Sequence, residues 1–361
     1  MQAITFQQPF KVLIKTVPIP EILQDTDVIV KTCVSGLCGS DLHGNEVGID
    51  KDTVMGHEFM GIVSEVGSDV KDLKVGDRVL SPFTICCGEC FYCCRGMTCR
   101  CEKGHLFGWV ENGHGIHGGQ AEYVRVPLAS STLVKIPEGI TDKTALLLGD
   151  VMSTGYFCAE NGLNGLKSQL SYLKQYKFED QNKEEFDNIV MVVVGCGPVG
   201  LMSIVAAIYL GVKNLFSIDS IQERLEIAKD FGAIPIHLIE ENPIEKIKEI
   251  TDGRGADIVL EAVGNTSALE LAFKLIRPAG VLSSVGMNYS NTFPFKPKEG
   301  YDKNVTYISG RCPVRQILAK TIPFALSKKF NFEKIITHEM KLCDGEKAYE
   351  IFEKKLDRCV K

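Results

Sequence analysis

The stretch "NIVMVVVGCGPVGLMSIVAAIYLG", residues 188–211, constrains the fold more than any other part of the chain. Its unbroken Val/Ile/Met run predicts a parallel strand covered on both faces. Gly195-x-Gly197-x-x-Gly200 follows, with Pro198 and Val199 between the last two glycines. That spacing predicts a tight turn that admits a pyrophosphate and packs a helix onto the strand. The helix N-terminus offers N–H groups and positive dipole character to phosphates. A bare glycine pattern is weak, but this one has a strand before it and a helix after it.

The next strand-like run, "NLFSID", ends at Asp219, nineteen residues after Gly200. An acid there accepts hydrogen bonds from adenosine ribose hydroxyls and repels a 2′-phosphate, so NAD is expected over NADP. Arg224 has two readings: a contact to the same ribose or a phosphate, or a solvated residue of the helix "IQERLEIAKDFG". Strand-like runs recur at "IPIH", "ADIVLEAVG", "GVLSSVGM" and "VTYISG", with helical segments between most of them. Together they predict a six-stranded parallel sheet of the dinucleotide-binding, α/β kind.

A chain of 361 residues is too long for one ordinary core, and a second domain is expected. Its net charge of −6 argues against nucleic acid or an anionic membrane as partner. No apolar run is long enough to cross a bilayer without glycine or proline breaking it. The start, MQAITFQQPF, lacks the charged-then-apolar pattern of a secretory signal, so a cytoplasmic location is expected.

Compartment bears on the cysteines, because stable disulfides are rare in the cytosol. Seven of the fourteen lie in "TICCGECFYCCRGMTCRC", from Thr84 to Cys101. Four of them form Cys87-x2-Cys90-x2-Cys93-x7-Cys101. Three closely spaced thiolates and a returning fourth suit tetrahedral zinc. A ferredoxin-type cluster needs a cysteine followed by proline where Met97 and Thr98 stand. Four thiolates leave no open position, so this zinc is expected to be structural, within a lobe of about residues 84–103. Cys86, Cys94 and Cys99 read as ordinary thiols, although a register swap between neighbours stays open.

A second group is more scattered. "GLCGSDLHG" carries Cys38, Ser40, Asp41 and His43; "MGHEFMGIVSEVG" carries His57 and Glu58; "LLLGDVMSTGY" places Asp150 after an apolar run. Each is weak alone. In order, however, G-H-E, the cysteine lobe, "VGDRV" and the glycine turn resemble the zinc-dependent medium-chain alcohol dehydrogenases over nearly the whole chain. The resemblance implies a catalytic zinc on Cys38, His57 and the residue just before "STGY". Many members carry cysteine there. Asp150 is instead similar to the branch with the glutathione-independent formaldehyde dehydrogenases, and carboxylate oxygen is an acceptable zinc ligand. Glu58 resembles the family acid beside the metal, an occasional fourth ligand or a partner of the ligands, and Asp41 the acid that orients the ligand histidine, with a capping Asp as its plainer reading. Ser40 and His43 resemble a relay that carries the substrate proton outward; a turn hydroxyl and a surface imidazole are their plainer readings.

The same resemblance implies a GroES-like, partly open β-barrel at 1–150, a Rossmann domain at 151–305 and a return to the catalytic domain at 306–361. The active site is then expected in the cleft between them. It implies Thr154 against the nicotinamide, and Val263 and Val285 at strand ends facing the cofactor. Phe83 is either a wall of the substrate pocket or plain core. Residues 165–188 are a longer and more charged connection than usual, expected as a surface excursion, helical or irregular, with a partner-binding element as the other reading. The expected activity is NAD-dependent interconversion of an alcohol and its aldehyde or ketone by a chain with two zinc ions, as a homodimer or homotetramer. A polyol or sugar-alcohol dehydrogenase is the alternative on the same chemistry. A catalytically silent NAD-binding sensor or interaction protein is the alternative of another kind.

Overall fold

The computed structural model of the chain describes residues 1–42, 48–175 and 188–361. It divides into two compact units, one of Met1–Ser153 with Pro313–Lys361, the other of Thr154–Cys312.

The first unit is built on a five-stranded antiparallel sheet. Its spatial order is Tyr123–Val126, Val28–Ser35, Phe59–Val66, Arg78–Ser81 and Val134–Lys135. Val28, Val30, Phe59, Val63, Val79, Val124 and Val126 meet in one buried cluster on this sheet. A hairpin, Gln2–Gln8 with Lys11–Thr16, forms a separate two-stranded sheet. The helix Gly345–Lys354 packs on the second strand of that hairpin, which anchors the returning tail.

The second unit holds the six-stranded sheet, in the order Ile234–His237, Asn214–Asp219, Val190–Val194, Ala256–Glu261, Ile276–Ser284, Thr306–Ser309. Every pairing is parallel. Val190–Val194 is buried at every position, the pattern its continuous apolar run predicts. The chain runs outward from it on one side, then crosses to begin the other half at Ala256–Glu261. That reversal places a switch point at the C-terminal ends of the two central strands, where such sheets take ligands.

Two boundaries differ from expectation. Thr306–Ser309 pairs with Ile276–Ser284, so the sheet claims the chain past 305 and the unit ends at Cys312. The segment 165–188 does not leave the fold at its start. The helix Val151–Gln175 covers its first part, as far as Gln175, and Leu166 is buried. A Cβ added at Gly162 or Gly165 would come within 2.8 Å of Ile258 or Val281, so this helix lies close on the sheet. Residues 176–187 lie outside the described residues. Among the described residues, no helix is long and apolar enough to cross a membrane.

Candidate functional site

Sheet register gathers the scattered donors. Ser35 pairs with Phe59, and the Gly36 N–H donates to the Glu58 carbonyl at 2.9 Å. The residues just past one strand therefore lie beside those just before the next, which brings Cys38 to His57 and Glu58. Space there is tight: a Cβ at Gly36 would stand 2.5 Å from Glu58 Oε2. Asp150 arrives from the end of the helix Asp142–Leu148, which packs on the same sheet.

Donor atoms of Cys38, His57, Glu58 and Asp150 lie within 4.8 Å of one another. His57 Nε2 is 3.3 Å from Asp150 Oδ2, and Cys38 Sγ is 3.9 Å from the same oxygen. Tetrahedral zinc sets N···O and S···O separations of about 3.3 Å and about 3.6 Å between its ligands. Sulfur, imidazole and carboxylate also form a donor set that zinc accepts, so these residues fit the metal. Burial pushes the Cys38 thiol up in pKa, and Asp150 and Glu58 add to that against the pull of His57. Burial opposes a charged His57, yet Asp41 and Cys38 outweigh it and raise the imidazole well above its usual range. Gathered anions of this kind favour a cation.

Asp41 lies on the short helix Gly39–Leu42, and its Oδ1 is 3.1 Å from His57 Nδ1. A carboxylate only accepts, so Nδ1 carries a hydrogen, and in the neutral form that binds a metal Nε2 presents its lone pair to the donor set. Ser40 Oγ is 3.3 Å from Cys38 Sγ and 3.4 Å from His57 Nε2. Phe83 is buried and meets the His57 ring edge-on at 6.3 Å. His43 lies outside the described residues.

Lys361 was not anticipated. Its ammonium contacts both Glu58 oxygens and donates to the Leu37 carbonyl at 3.0 Å. The Lys361 carbonyl in turn accepts from the Thr337 N–H at 3.0 Å, which pins the tail. Nothing marks such a lysine in a sequence, where an isolated lysine reads as solvated surface.

The cysteine lobe forms a second cluster. The sulfurs of Cys87, Cys90, Cys93 and Cys101 lie within 4.8 Å of one another. Backbone N–H groups of Cys87 and Lys103 donate to Cys101 Sγ at 3.2 and 3.4 Å, and Cys90 N–H donates to Cys87 Sγ at 3.4 Å. N–H groups of Cys93 and Glu102 hold the Cys90 thiol down at about 6, whereas burial raises Cys93 and Cys101. Donors aimed at sulfur favour thiolate, the form that binds metal. The other three cysteines of the run are not in this group. Cys86 is buried, donates to the Ser131 carbonyl at 3.2 Å and is pushed up to about 11 by burial. Cys94 is exposed and donates to the Glu89 carbonyl, and Cys99 is buried.

In the second unit, each glycine of the turn has its own reason. Gly195 has φ +92°, and a Cβ there would stand 2.4 Å from Val263. A Cβ at Gly200 would lie 1.8 Å from the Gly195 carbonyl oxygen. Gly197 is the open one, where a Cβ would meet only Arg224 Nη1 at 3.8 Å. Gly197 also begins the helix Pro198–Tyr209, whose first N–H groups receive no side-chain cap. An uncapped helix start beside open backbone suits a pyrophosphate. Asp219 Oδ2 accepts from the Cys196 N–H at 2.7 Å, and Oδ1 accepts from Ile221 N–H at 3.0 Å. Each oxygen keeps a lone pair for a ribose hydroxyl. Arg224 aims its guanidinium at the turn, and its Nε is buried without a hydrogen-bond partner. Glu261, also unanticipated, is buried and accepts from the N–H groups of Val263 and Gly264 at 2.8 and 2.7 Å. Its own carbonyl accepts from the Val285 N–H at 3.0 Å, so it shapes both strand ends. Thr154 lies on the helix Val151–Gln175.

Comparison with known proteins places the chain in a family. Residues 24–138 match the alcohol dehydrogenase GroES-like domain, and residues 198–326 the zinc-binding dehydrogenase domain. Zinc-type alcohol dehydrogenase B of Aspergillus flavus is 40% identical over 357 residues, covering 98% of this chain and 78% of its own. A medium chain reductase/dehydrogenase of an Acremonium species, ucsI, is 43% identical over 307 residues, covering 84% of this chain and 98% of its own. Among solved structures, alcohol dehydrogenase TADH from Thermus sp. ATN1 superposes with a TM-score of 0.88 at 34% identity, covering 100% of this chain and 98% of its own. The chain belongs to the zinc-containing medium-chain alcohol dehydrogenase family, with a GroES-like domain and a Rossmann domain.

Proposed function

We propose that this protein is an NAD-dependent zinc alcohol dehydrogenase, interconverting an alcohol and the corresponding aldehyde or ketone. The observation that carries this is the three-donor set of half-buried Cys38 with buried His57 and Asp150, which would hold a zinc and leave it open to substrate. Zinc on those residues supplies Lewis acidity to the substrate oxygen, and NAD on the second unit supplies the hydride acceptor.

The chain's own groups do the rest. Asp41 holds His57 in the tautomer that offers Nε2. Ser40 Oγ takes the substrate hydroxyl proton as it passes its own onward, with His43 as the outer station. Phe83 lines the pocket beside His57. Lys361 contacts both oxygens of Glu58 and balances that carboxylate's charge beside the donor set. Asp219 accepts from the adenosine ribose and excludes a 2′-phosphate, and Arg224 faces the same ribose. Gly195, Gly197, Pro198, Val199 and Gly200 cradle the pyrophosphate. Thr154, Val263 and Val285 border the nicotinamide. Cys87, Cys90, Cys93 and Cys101 hold the structural zinc.

The carboxylate ligand Asp150 aligns the chain with the branch containing the glutathione-independent formaldehyde dehydrogenases. The same reading includes a cytoplasmic homodimer or homotetramer. A panel of alcohols, aldehydes and ketones, offered with NAD or NADP and followed by reduced-nicotinamide absorbance, tests the proposal. Turnover with NAD is expected. Zinc and NAD binding without turnover on any substrate would overturn it.

A further inference from the structure

His57 and Asp41 are not the end of their hydrogen-bond chain. Gln120 is 2% exposed, and its Nε2 donates to Asp41 Oδ2 at 3.2 Å and to the Gly36 carbonyl at 3.0 Å. Gln120 Oε1 accepts from the Tyr349 hydroxyl at 2.7 Å. Tyr349 is itself buried, on the helix Gly345–Lys354 of the returning tail. The amide orientation is decided by chemistry. A carboxylate and a carbonyl both only accept, so the NH2 group must face them and the oxygen must face Tyr349. Tyr349 must therefore donate.

The direction of every bond follows. Tyr349 O–H donates to Gln120, Gln120 N–H donates to Asp41 Oδ2, and His57 Nδ1–H donates to Asp41 Oδ1. Cys38 N–H donates to Asp41 Oδ2 as well, at 3.0 Å. Gln120 uses both its N–H groups, and its oxygen accepts from Tyr349. Its position is equally fixed. The Gln120 N–H donates to the Met55 carbonyl and its carbonyl accepts from Ile4 N–H, both at 2.9 Å. Gly56, next to His57, makes the room: a Cβ there would stand 2.3 Å from Gln120 Cγ.

We infer that Gln120 and Tyr349 are positioning residues of the His57 metal site. They hold the Asp41 carboxylate so that the imidazole keeps one tautomer and one ring orientation, and they tie retention of the metal to docking of the tail helix. Partners of this kind, behind a ligand histidine, are worth about 10–100-fold in metal affinity when they touch the ligand directly. Gln120 and Tyr349 act one and two steps further out, so effects at or below the lower end of that range are expected. The inference rests on His57 being a zinc ligand, as proposed above.

The test uses the zinc-loaded full chain and measures release of each zinc to a competing chelator, with the cysteine-lobe zinc as internal control. Variants are Gln120→Glu, which sets a carboxylate against Asp41 and the Gly36 carbonyl, and Tyr349→Phe, which removes only the terminal donor. Gln120→Glu is expected to speed release of one zinc by about tenfold, and Tyr349→Phe by about threefold. The second zinc should leave at the wild-type rate in both. The 15N spectrum of the wild-type chain should show His57 with a protonated Nδ1, broadened or shifted in both variants. His57→Ala separates the two claims. If it removes no zinc, His57 is not a ligand and the inference falls with that reading. If it removes one zinc while Gln120→Glu and Tyr349→Phe release both at the wild-type rate, the positioning role alone is wrong. Equal acceleration of both zinc ions would mean general loosening and would also overturn it. Should Gln120→Glu fail to fold, Tyr349→Phe decides by the same criteria.

Discussion

The Lys361 ammonium and the Glu58 carboxylate form an ion pair whose side chains are 3% and 0% exposed, inside the wall of the His57 site. A buried pair adds little over an apolar one, but half a pair is costly. Lys361→Met is therefore expected to destabilise the zinc-loaded protein by about 3–5 kcal/mol. The double variant Lys361→Met, Glu58→Gln should recover most of that loss. Denaturant unfolding of the three proteins checks it; equal stability of the single and double variants would contradict the pairing.

Cys101 closes the cysteine lobe, where two backbone N–H groups converge on its sulfur. Cys101→Ser is expected to lower the midpoint of thermal unfolding and to weaken one zinc, while kcat changes less than threefold. Calorimetry and steady-state rates on the same preparation measure both. Unchanged stability with the zinc retained would assign the fourth ligand elsewhere, with Cys99 the first alternative.

Asp219 both ties down the glycine turn through Cys196 N–H and carries the charge that meets a 2′-phosphate. Asp219→Asn keeps an acceptor for the turn and removes the charge. The ratio of kcat/KM for NAD over NADP is expected to fall by at least about tenfold, or about 1.4 kcal/mol of discrimination. Steady-state kinetics with the two cofactors measures it. A ratio that stays put, or a wild-type protein that uses only NADPH, would place cofactor choice on other residues.

What could be read from the sequence was what lies close together in it. Residues 188–211 hold strand, turn and helix in one run, and five more strand-like runs follow, so the glycine turn and the six-stranded sheet follow from local pattern. The cysteine lobe is likewise one short loop. Cys38, His57 and Asp150 were linked only by resemblance, because sheet register and a helix end bring them together and neither leaves a spacing rule. Lys361 with Glu58, and Tyr349 with Gln120, were invisible: a returning tail makes both contacts, and burial alone distinguishes these residues from surface ones. The 165–188 segment is helical at its start, and Gly162 just before it, with Gly165 and Leu166, keeps that helix on the sheet, a packing that charged composition does not display.

Metal content of the wild-type chain and of Asp150→Ala, determined side by side on folded protein, bears most directly on the division of labour between the two clusters. Two zinc ions per chain are expected in the wild type, one on the cysteine lobe and one on Cys38, His57 and Asp150. Asp150→Ala should keep the first, lose or greatly weaken the second, and lose turnover with it. A wild-type chain holding a single zinc that Cys87→Ser removes, or an Asp150→Ala variant that still binds two zinc ions as tightly, would contradict a catalytic metal at this site.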